Sequence, residues 1–561
     1  MASALRRSAN HFLKRRILPV AYRGNSSDAN ILKSNLKDIK VPNLTIDEYV
    51  WQNLDRWPDK TSTVCAFTGH GYTYAQTHRM SVCFAASLRT KLKLQDGDKV
   101  AVILPNIPEY PCTALGIIEA GCVPATMNPA YTAVDLKPLF EIAECKAVVT
   151  TKLSYPNVKA ALIEMQQNIP VILVDNENLP EGTIKFAEFA EDFAIDTNCL
   201  KTVKRSPKDI GILPYSSGTT GLPKAVALTH KSIIALHEMM FDPSAVSVPE
   251  TTDSHQSVIP AVLPFFHIFG LNIVMLNLMS RGVKLVTLPS FKPEVFLETI
   301  VKYRVQDLYV VPPIAMFLAK HPAVTPAHME SVREVISGAA ALPAADAEAI
   351  VSKNNKIQIR QGYGMTETSG AISVLLRGQP NNHASVGSVF GSCRIRVVDP
   401  NTGENVGVGK EGELWLSGPN IMQGYYRNQQ ATDEVMDNGW FKSGDIGKYD
   451  ENGLVYLTDR IKELIKVKGF QVAPAELEAI LRTHPAVADC AIMGIPDAMS
   501  GEVPKAFVVT KPGKSLADEE VMQYVNTKVI SYKNIKKVQF IDTIPKSPAG
   551  KILKKELKKY C

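Results

Sequence analysis

Apolar and polar positions along the chain fall into two textures. From about residue 46 to residue 387, short β-branched runs alternate with stretches of helical spacing. Residues 99–104 (Lys-Val-Ala-Val-Ile-Leu) form a predicted strand stopped by Pro105 and Asn106, and 109–120 then reads as a helix. Residues 147–150, 171–174 and 308–311 are further buried-strand patterns with helical intervals between them. That alternation predicts α/β architecture with largely parallel sheets. After Gly387 the texture changes: 394–398 and 412–416 alternate strictly around a Pro-Asn-Thr-Gly turn at 400–403, which predicts an antiparallel β subdomain. From residue 460 the chain is Lys-rich and mixed, with a helix opened by Pro474 that carries Leu477, Ile480 and Leu481 on one face. The expected organisation is a leader at 1–27, a large domain over 28–459 and a small α+β domain over 460–561. The large domain holds two α/β subdomains plus the antiparallel one.

One run invites a different reading. Residues 258–279 carry no formal charge. Pro264 would break a continuous helix, so a strand, a turn and a buried helix after Phe269 are expected there, not a membrane span.

Composition narrows the class. A chain of 561 residues is too long for one core, and 45% hydrophobic with 21% charged residues is ordinary for a globular enzyme. Nine cysteines with no C-x-x-C pair argue against a disulfide framework or a structural zinc site, so reduced thiols are expected. The net charge of +6 comes from the leader, where Arg6, Arg7, Lys14, Arg15, Arg16 and Arg23 precede the first acid, Asp28. Without those six cations the chain has as many acids as bases, so no general affinity for nucleic acid or anionic membrane is expected. The leader is Arg- and Ser-rich, free of acids and interspersed with Leu5, Phe12, Leu13, Ile17 and Leu18. That is the composition of a mitochondrial transit peptide, with a disordered basic tail or a cytoplasmic protein as the alternative.

The richest chemistry lies at 215–224, where Tyr215 is followed by Ser216, Ser217, Gly218, Thr219, Thr220, Gly221, Leu222, Pro223 and Lys224. Glycines admit close backbone approach, hydroxyls add donors and the lysine adds a point charge, which together make a phosphate cradle. It departs from a Walker A loop: Pro223 replaces the second glycine and Ala225 the Mg²⁺-binding hydroxyl. Apolar runs on both sides predict a hairpin tip, and the plain alternative is a polar turn.

Four more stretches fit a nucleotide. Gln361, Gly362, Tyr363, Gly364, Met365, Thr366 and Glu367 supply an aromatic ring for a base and a carboxylate suited to Mg²⁺ beside a phosphate cradle. Asp445, in a predicted tight turn at 440–445, suits ribose hydroxyls. Residues 459–469 concentrate Arg460, Lys462, Lys466 and Lys468 before Gly469, and 545–551 ends in Lys551 on a turn. Each alone could be a solvated charged face.

In this order the motifs resemble those of the AMP-forming adenylating superfamily, which includes acyl-CoA synthetases, 4-coumarate–CoA ligases and beetle luciferases. The resemblance covers the chain after the leader. It looks closest to the ligase/luciferase branch through Leu263-Pro264-Phe265-Phe266-His267 and the Lys468-Gly469-Phe470-Gln471 stretch. It implies a two-step reaction: a carboxylate attacks the α-phosphorus of ATP, expelling pyrophosphate, and the thiol of coenzyme A then displaces AMP. It implies that residues 216–224 hold phosphates, Thr366 the α-phosphate, Glu367 the Mg²⁺, Tyr363 the adenine, and Asp445 with Arg460 the ribose. Lys551 would bridge carboxylate and α-phosphate. The small domain would rotate about Lys462, replacing Lys551 with Lys466 for thioester formation, while Lys468, Gly469 and Gln471 face coenzyme A. By the same resemblance the acid pocket is lined by His267, Phe269, Gly338, Ala339, Ala340, Gly362, Gly370 and Ala371. These are small or apolar residues that admit an aryl acid or a short-to-medium aliphatic chain.

Three departures stand out. Ala225 replaces a common glycine, Ser417 precedes Gly418 where relatives often have arginine, and Lys559-Tyr560-Cys561 is not a peroxisomal address. The motifs leave two second steps open, transfer to coenzyme A or luciferase-type oxidation of the adenylate. A non-catalytic scaffold would have lost groups that are all present here.

Overall fold

The structure, a computed structural model, describes residues 30–216, 223–245, 248–467, 470–497, 499–547 and 550–560. The leader, most of the hydroxyl-rich loop (217–222) and Lys468 with Gly469 lie outside the described residues.

Among the described residues the chain builds five sheets. In the eight-stranded one, Ile210–Ser216, Val123–Thr126, Lys99–Ile103, Ala147–Thr150, Val171–Leu173 and Ile184–Lys185 run parallel, as their unbroken apolar character predicts. Lys224–Thr229 folds back antiparallel on Ile210–Ser216 and pairs Lys224 with Ser216, so the cradle sequence does join two strands of a hairpin. A five-stranded sheet begins with parallel Asp307–Val310, Glu334–Ser337 and Gln358–Tyr363. A four-stranded sheet places Lys284–Thr287 between Val258–Ala261 and Thr61–Cys65. The antiparallel texture becomes a seven-stranded sheet containing Arg394–Val398, Gly412–Ser417, Trp440–Tyr449 and Val455–Arg460.

After Arg460 the chain makes one short turn, Ile461–Glu463, and enters a separate five-stranded sheet starting at Ile465–Val467. This sheet has its own core, in which Leu477 and Leu481 of the helix Pro474–Arg482 meet Val521, Val525 and Ile535. Each fully buried leucine contributes about 1.5–3 kcal/mol.

The apolar run at 258–279 is a strand, a turn and a buried helical stretch, but its winding differs from expectation. Phe269–Leu276 is π-helical before three α-helical residues complete it. No described helix is long and apolar enough to cross a membrane. The eight described cysteines are free.

The strand Gln358–Tyr363 is held from below by a buried guanidinium. Arg360 donates to Glu334 Oε2 (2.7 Å), to the Leu375 carbonyl (2.7 Å) and to the Ala245 carbonyl (2.6 Å). Arg377 closes on the other Glu334 oxygen at 2.5 Å. Removing Arg360 would leave Glu334 Oε2 and the Leu375 and Ala245 carbonyls without this donor, while Arg377 stays on the other Glu334 oxygen.

Candidate active site

At the upper end of that strand, Tyr363 is buried and its hydroxyl donates to Asp445 Oδ2 at 2.7 Å. The other Asp445 oxygen meets Arg460 Nε at 2.9 Å. Asp445 and Arg460 face each other across the ladder of Trp440–Tyr449 and Val455–Arg460. The expected tight turn at 440–445 is therefore a strand. The strand is interrupted at 443–444, where Gly444 takes φ +72° and the register against Gly412–Ser417 shifts between Glu413 and Trp415. The Gly444 N–H donates to Glu413 Oε1 (3.1 Å) and the Asp445 N–H to Ser443 Oγ (3.0 Å), so the kink is paired and Asp445 is fixed in place. Burial, followed by the Asp445 charge, pushes the Tyr363 phenol well above its ordinary range.

Beyond Tyr363 the chain makes a 3₁₀ turn, Thr366–Thr368, closed by Ser369 at φ +57°. Thr366 and Glu367 are buried within it, and Glu367 Oε1 accepts from the Tyr425 hydroxyl at 3.0 Å. Lys224 Nζ lies 4.6 Å over the ring of that same tyrosine. Tyr425 thus ties the base of the hairpin to the carboxylate turn. It went unnoticed in the sequence because only its pairing with Val226 brings it here. The Tyr425 bond engages only Oε1 of Glu367, and among the described residues no group of three His, Cys, Asp or Glu could enclose a metal. A single carboxylate beside a phosphate cradle fits Mg²⁺, which completes its shell with substrate phosphate and water.

The last turn of the chain delivers Lys551. Its carbonyl accepts from Ser547 N–H at 2.7 Å and Gly550 N–H reaches the Ser547 carbonyl at 2.8 Å. Gly550 seats against the large body: a β-carbon there would come within 2.8 Å of Pro313 Cδ. The Lys551 residue as a whole is exposed, yet protein atoms crowd its ammonium. That crowding, and then the Arg460 charge, lower its pKa, while Asp445, Glu367 and Glu463 act the other way. Its field also reaches His267, whose imidazole is pushed down to about 4, first by burial and then by Lys551. His267 Nδ1 accepts from the Phe269 N–H at 3.3 Å, so the ring stands neutral at the crevice wall.

Below His267 the expected acid-pocket residues converge in part. A β-carbon on Gly338 would stand 3.1 Å from Phe269 Cε1 and 3.6 Å from the Gly362 carbonyl. One on Gly370 would meet Ile273 Cδ1 at 3.2 Å and Leu236 Cδ2 at 3.7 Å. Leu236 and Ile273 join this wall without any local signal; one sits in an ordinary amphipathic helix, the other in the π-helical turn. Gly364 packs on Ala371, where a β-carbon would come within 2.3 Å of its Cα. Ala339 adopts φ +72° and Ala340 is exposed. Gln361 is spent on the scaffold, since its Oε1 accepts from Leu342 N–H (2.8 Å) and its Nε2 donates to the His383 carbonyl (2.6 Å).

The remaining lysines lie elsewhere. Lys462 is exposed in the turn Ile461–Glu463. Lys466 points to solvent from Ile465–Val467, with its N–H on Glu502 Oε2 at 2.8 Å and its backbone opposite Gln471.

A buried ring–carboxylate–guanidinium cluster and a carboxylate beside a hydroxyl-rich hairpin face one lysine brought from the chain's end. That arrangement suits an enzyme joining an acid to a nucleotide. The chain belongs to the AMP-binding enzyme family, which it matches over residues 50–426, with the C-terminal domain of that family over 476–551. It is 36% identical over 545 residues to 4-coumarate–CoA ligase 1 of Arabidopsis thaliana, covering 95% of this chain and 96% of that protein. It is likewise 36% identical over 534 residues to 4-coumarate–CoA ligase 1 of Petroselinum crispum. Among solved structures, ATP-bound MatB from Rhodopseudomonas palustris superposes with a TM-score of 0.82 at 27% identity, over 92% of this chain and 99% of that one. The anthranilate CoA ligase AuaEII with anthranoyl-AMP shares the fold at TM-score 0.83 and 22% identity.

Proposed function

We propose that this chain is an ATP-dependent, AMP-forming acid–CoA ligase. The observation that carries the reading is the seating of Lys551, held by its turn and by Gly550 against Pro313, within reach of the Asp445 and Glu367 charges and of His267. In the first half-reaction a substrate carboxylate oxygen attacks the α-phosphorus, the bond to pyrophosphate breaks, and an acyl-adenylate forms. Little covalent work falls to the protein here, so positioning and charge neutralisation dominate. Lys551 neutralises charge at the junction of acid and α-phosphate. Thr366 holds the α-phosphate, residues 216–224 with Lys224 hold the leaving pyrophosphate, and the Tyr363–Asp445–Arg460 cluster holds the nucleoside. Glu367 would hold Mg²⁺, which when bound supplies charge compensation to the phosphates. In the second half-reaction the coenzyme A sulfur attacks the acyl carbon and AMP leaves. Lys466, Lys468, Gly469 and Gln471 serve that step after the small domain turns about Lys462. A thiol of pKa about 8.5 is partly ionised near neutrality and demands no dedicated base.

The acid is a monocarboxylate with an apolar body, aryl or short-to-medium aliphatic. Phe269, Ile273 and Leu236 offer contact area and no cation for a second carboxylate. The Arg-rich, acid-free leader supports import into mitochondria. Incubating the purified full chain with ATP, Mg²⁺, coenzyme A and a panel of acids tests the reading. Stoichiometric AMP, pyrophosphate and acyl-CoA are expected with at least one acid. Oxygen-dependent light with no coenzyme A consumed would overturn it.

A further inference from the structure

We propose that Asp459 is a positioning residue for adenylate formation: its carboxylate pins the helix Pro474–Arg482 against the strand Val455–Arg460 and so sets where Lys551 is presented. The inference rests on the ligase reading above.

Asp459 lies in the sheet that also carries Asp445, opposite Ile446 and next to Arg460. Its Oδ1 accepts from the Arg460 N–H at 2.7 Å, which fixes its rotamer, and its Oδ2 accepts from the Ala475 N–H at 3.0 Å. The second bond crosses from the large body to the first turn of a helix in the C-terminal sheet's layer. That helix cannot cap itself. Ala473, at the cap position, has no side-chain acceptor, and Pro474 has no N–H, so Ala475 carries the first orphan donor. A carboxylate at a helix N-terminus also meets the favourable end of the helix dipole. From the far side of the turn Ile461–Glu463 and two short strands, Asp459 therefore supplies the cap that the local sequence omits.

From there the connection to Lys551 is short. Glu463, in the linking turn, pairs with Lys554 at 2.7 Å, and Lys554 opens the last helix, three residues after Lys551. Lys554, Glu463 and Glu478 are the other charges that Asp459 faces, and Arg482 pairs with Glu478 at 3.4 Å. The tie lies next to the pivot, so a small change of angle at Asp459 is amplified at Lys551. Lys466 is exposed on the strand Ile465–Val467. Its turn at the adenylate requires the Asp459–Ala475 bond to open.

The two half-reactions of the full chain separate the possibilities. Acid-dependent ATP–pyrophosphate exchange reports the first, and transfer from a supplied acyl-adenylate to coenzyme A reports the second. In Asp459→Ala, exchange should fall about 10- to 100-fold in kcat, the size of effect expected from a displacement near 1 Å at the reacting centre. KM for ATP and transfer from supplied adenylate should stay within about twofold. Asp459→Asn keeps an acceptor oxygen and should recover exchange to within about threefold of wild type. Should Asp459→Ala not fold, Ala475→Pro decides, because it deletes the donor at a first-turn position that tolerates proline. Unchanged exchange in these variants, or equal loss in both half-reactions, overturns the proposal. A wild-type chain that forms no adenylate with any acid overturns the ligase reading instead.

Discussion

The nucleotide side of the site and its lysines are built on different principles. Tyr363, Asp445, Arg460 and Glu367 are anchored in paired strands and a closed turn, with hydrogen bonds of 2.7–3.0 Å among themselves and to Tyr425. Lys551 and Lys466 are exposed side chains on short segments of the C-terminal sheet and tail. A preformed site costs no reorganisation when ATP arrives, whereas a group on a separate layer can be exchanged for another. The difference teaches a division of labour: binding is fixed and catalytic charge is delivered. The field around Lys551 belongs to one arrangement of the two parts, and Lys466 stands outside it.

Lysine replacement strikes this division hardest. Lys551→Ala should lower acid-dependent ATP–pyrophosphate exchange by about 10²–10³-fold, the size associated with removing one charge-stabilising donor, and leave transfer from supplied adenylate near wild type. Lys466→Ala should do the reverse. Equal loss of both half-reactions in both variants would mean that the two lysines share one arrangement, and the comparison would fail.

Asp445→Asn attacks the fixed side. It leaves the Tyr363 hydroxyl a partner but removes the charge facing Arg460. Charge-assisted hydrogen bonds of this kind contribute about 1.5–3 kcal/mol, so KM for ATP should rise by roughly tenfold or more while kcat moves less. A fall in kcat with KM unchanged would place Asp445 on the delivered side. The pH profile separates the same two regions. An ordinary lysine loses its charge near pH 10.4, and crowding with the Arg460 charge lowers Lys551. Deprotonation of Lys551 therefore occurs at lower pH than for a free lysine, so exchange should decline on the alkaline side before ATP binding weakens. His267, with a pKa of about 4, stays neutral throughout the neutral range and adds no acidic limb above pH 5. Coincident alkaline limbs for exchange and for nucleotide binding would contradict this.

Much of this was legible from local pattern. The hairpin at 210–229, the parallel strands and the helix opened by Pro474 follow from periodicity and from Pro and Gly placement, which act over a few residues. What escaped was set by distant partners. Asp445 reads as a turn because Ser443 and Gly444 are turn residues, but they form an irregularity inside the strand Trp440–Tyr449, whose pairing resumes at Asp445 opposite Arg460. Gln361 looks like a nucleotide contact until Leu342 and His383 are seen to occupy its amide. The apolar run after Phe269 has no periodicity to distinguish α from π winding, and that winding carries Ile273 to Gly370.

The smallest effect concerns the boundary between the two regions, where the acid lies. Gly338 is a residue whose missing side chain makes room: a β-carbon there would stand 3.1 Å from Phe269 Cε1, so the ring must yield by a few tenths of an ångström. Its φ lies outside the left-handed region, so Gly338→Ala carries no backbone strain, only displaced volume. Gly370, at φ +121°, is the contrasting case, where any side chain is strained as well as crowded by Ile273. For Gly338→Ala, kcat/KM should drop severalfold for a bulky aryl acid and change little for a short aliphatic one, because one methylene in an apolar pocket is worth about 1–3 kcal/mol. KM for ATP should not move, since Tyr363, Asp445 and Arg460 do not touch the new methyl. A uniform loss across acids, with ATP binding weakened too, would show that the loop at 338–342 supports the fixed nucleotide site through Gln361. The acid pocket would then belong to the preformed half of the molecule, and only the lysines would be left to the delivered half.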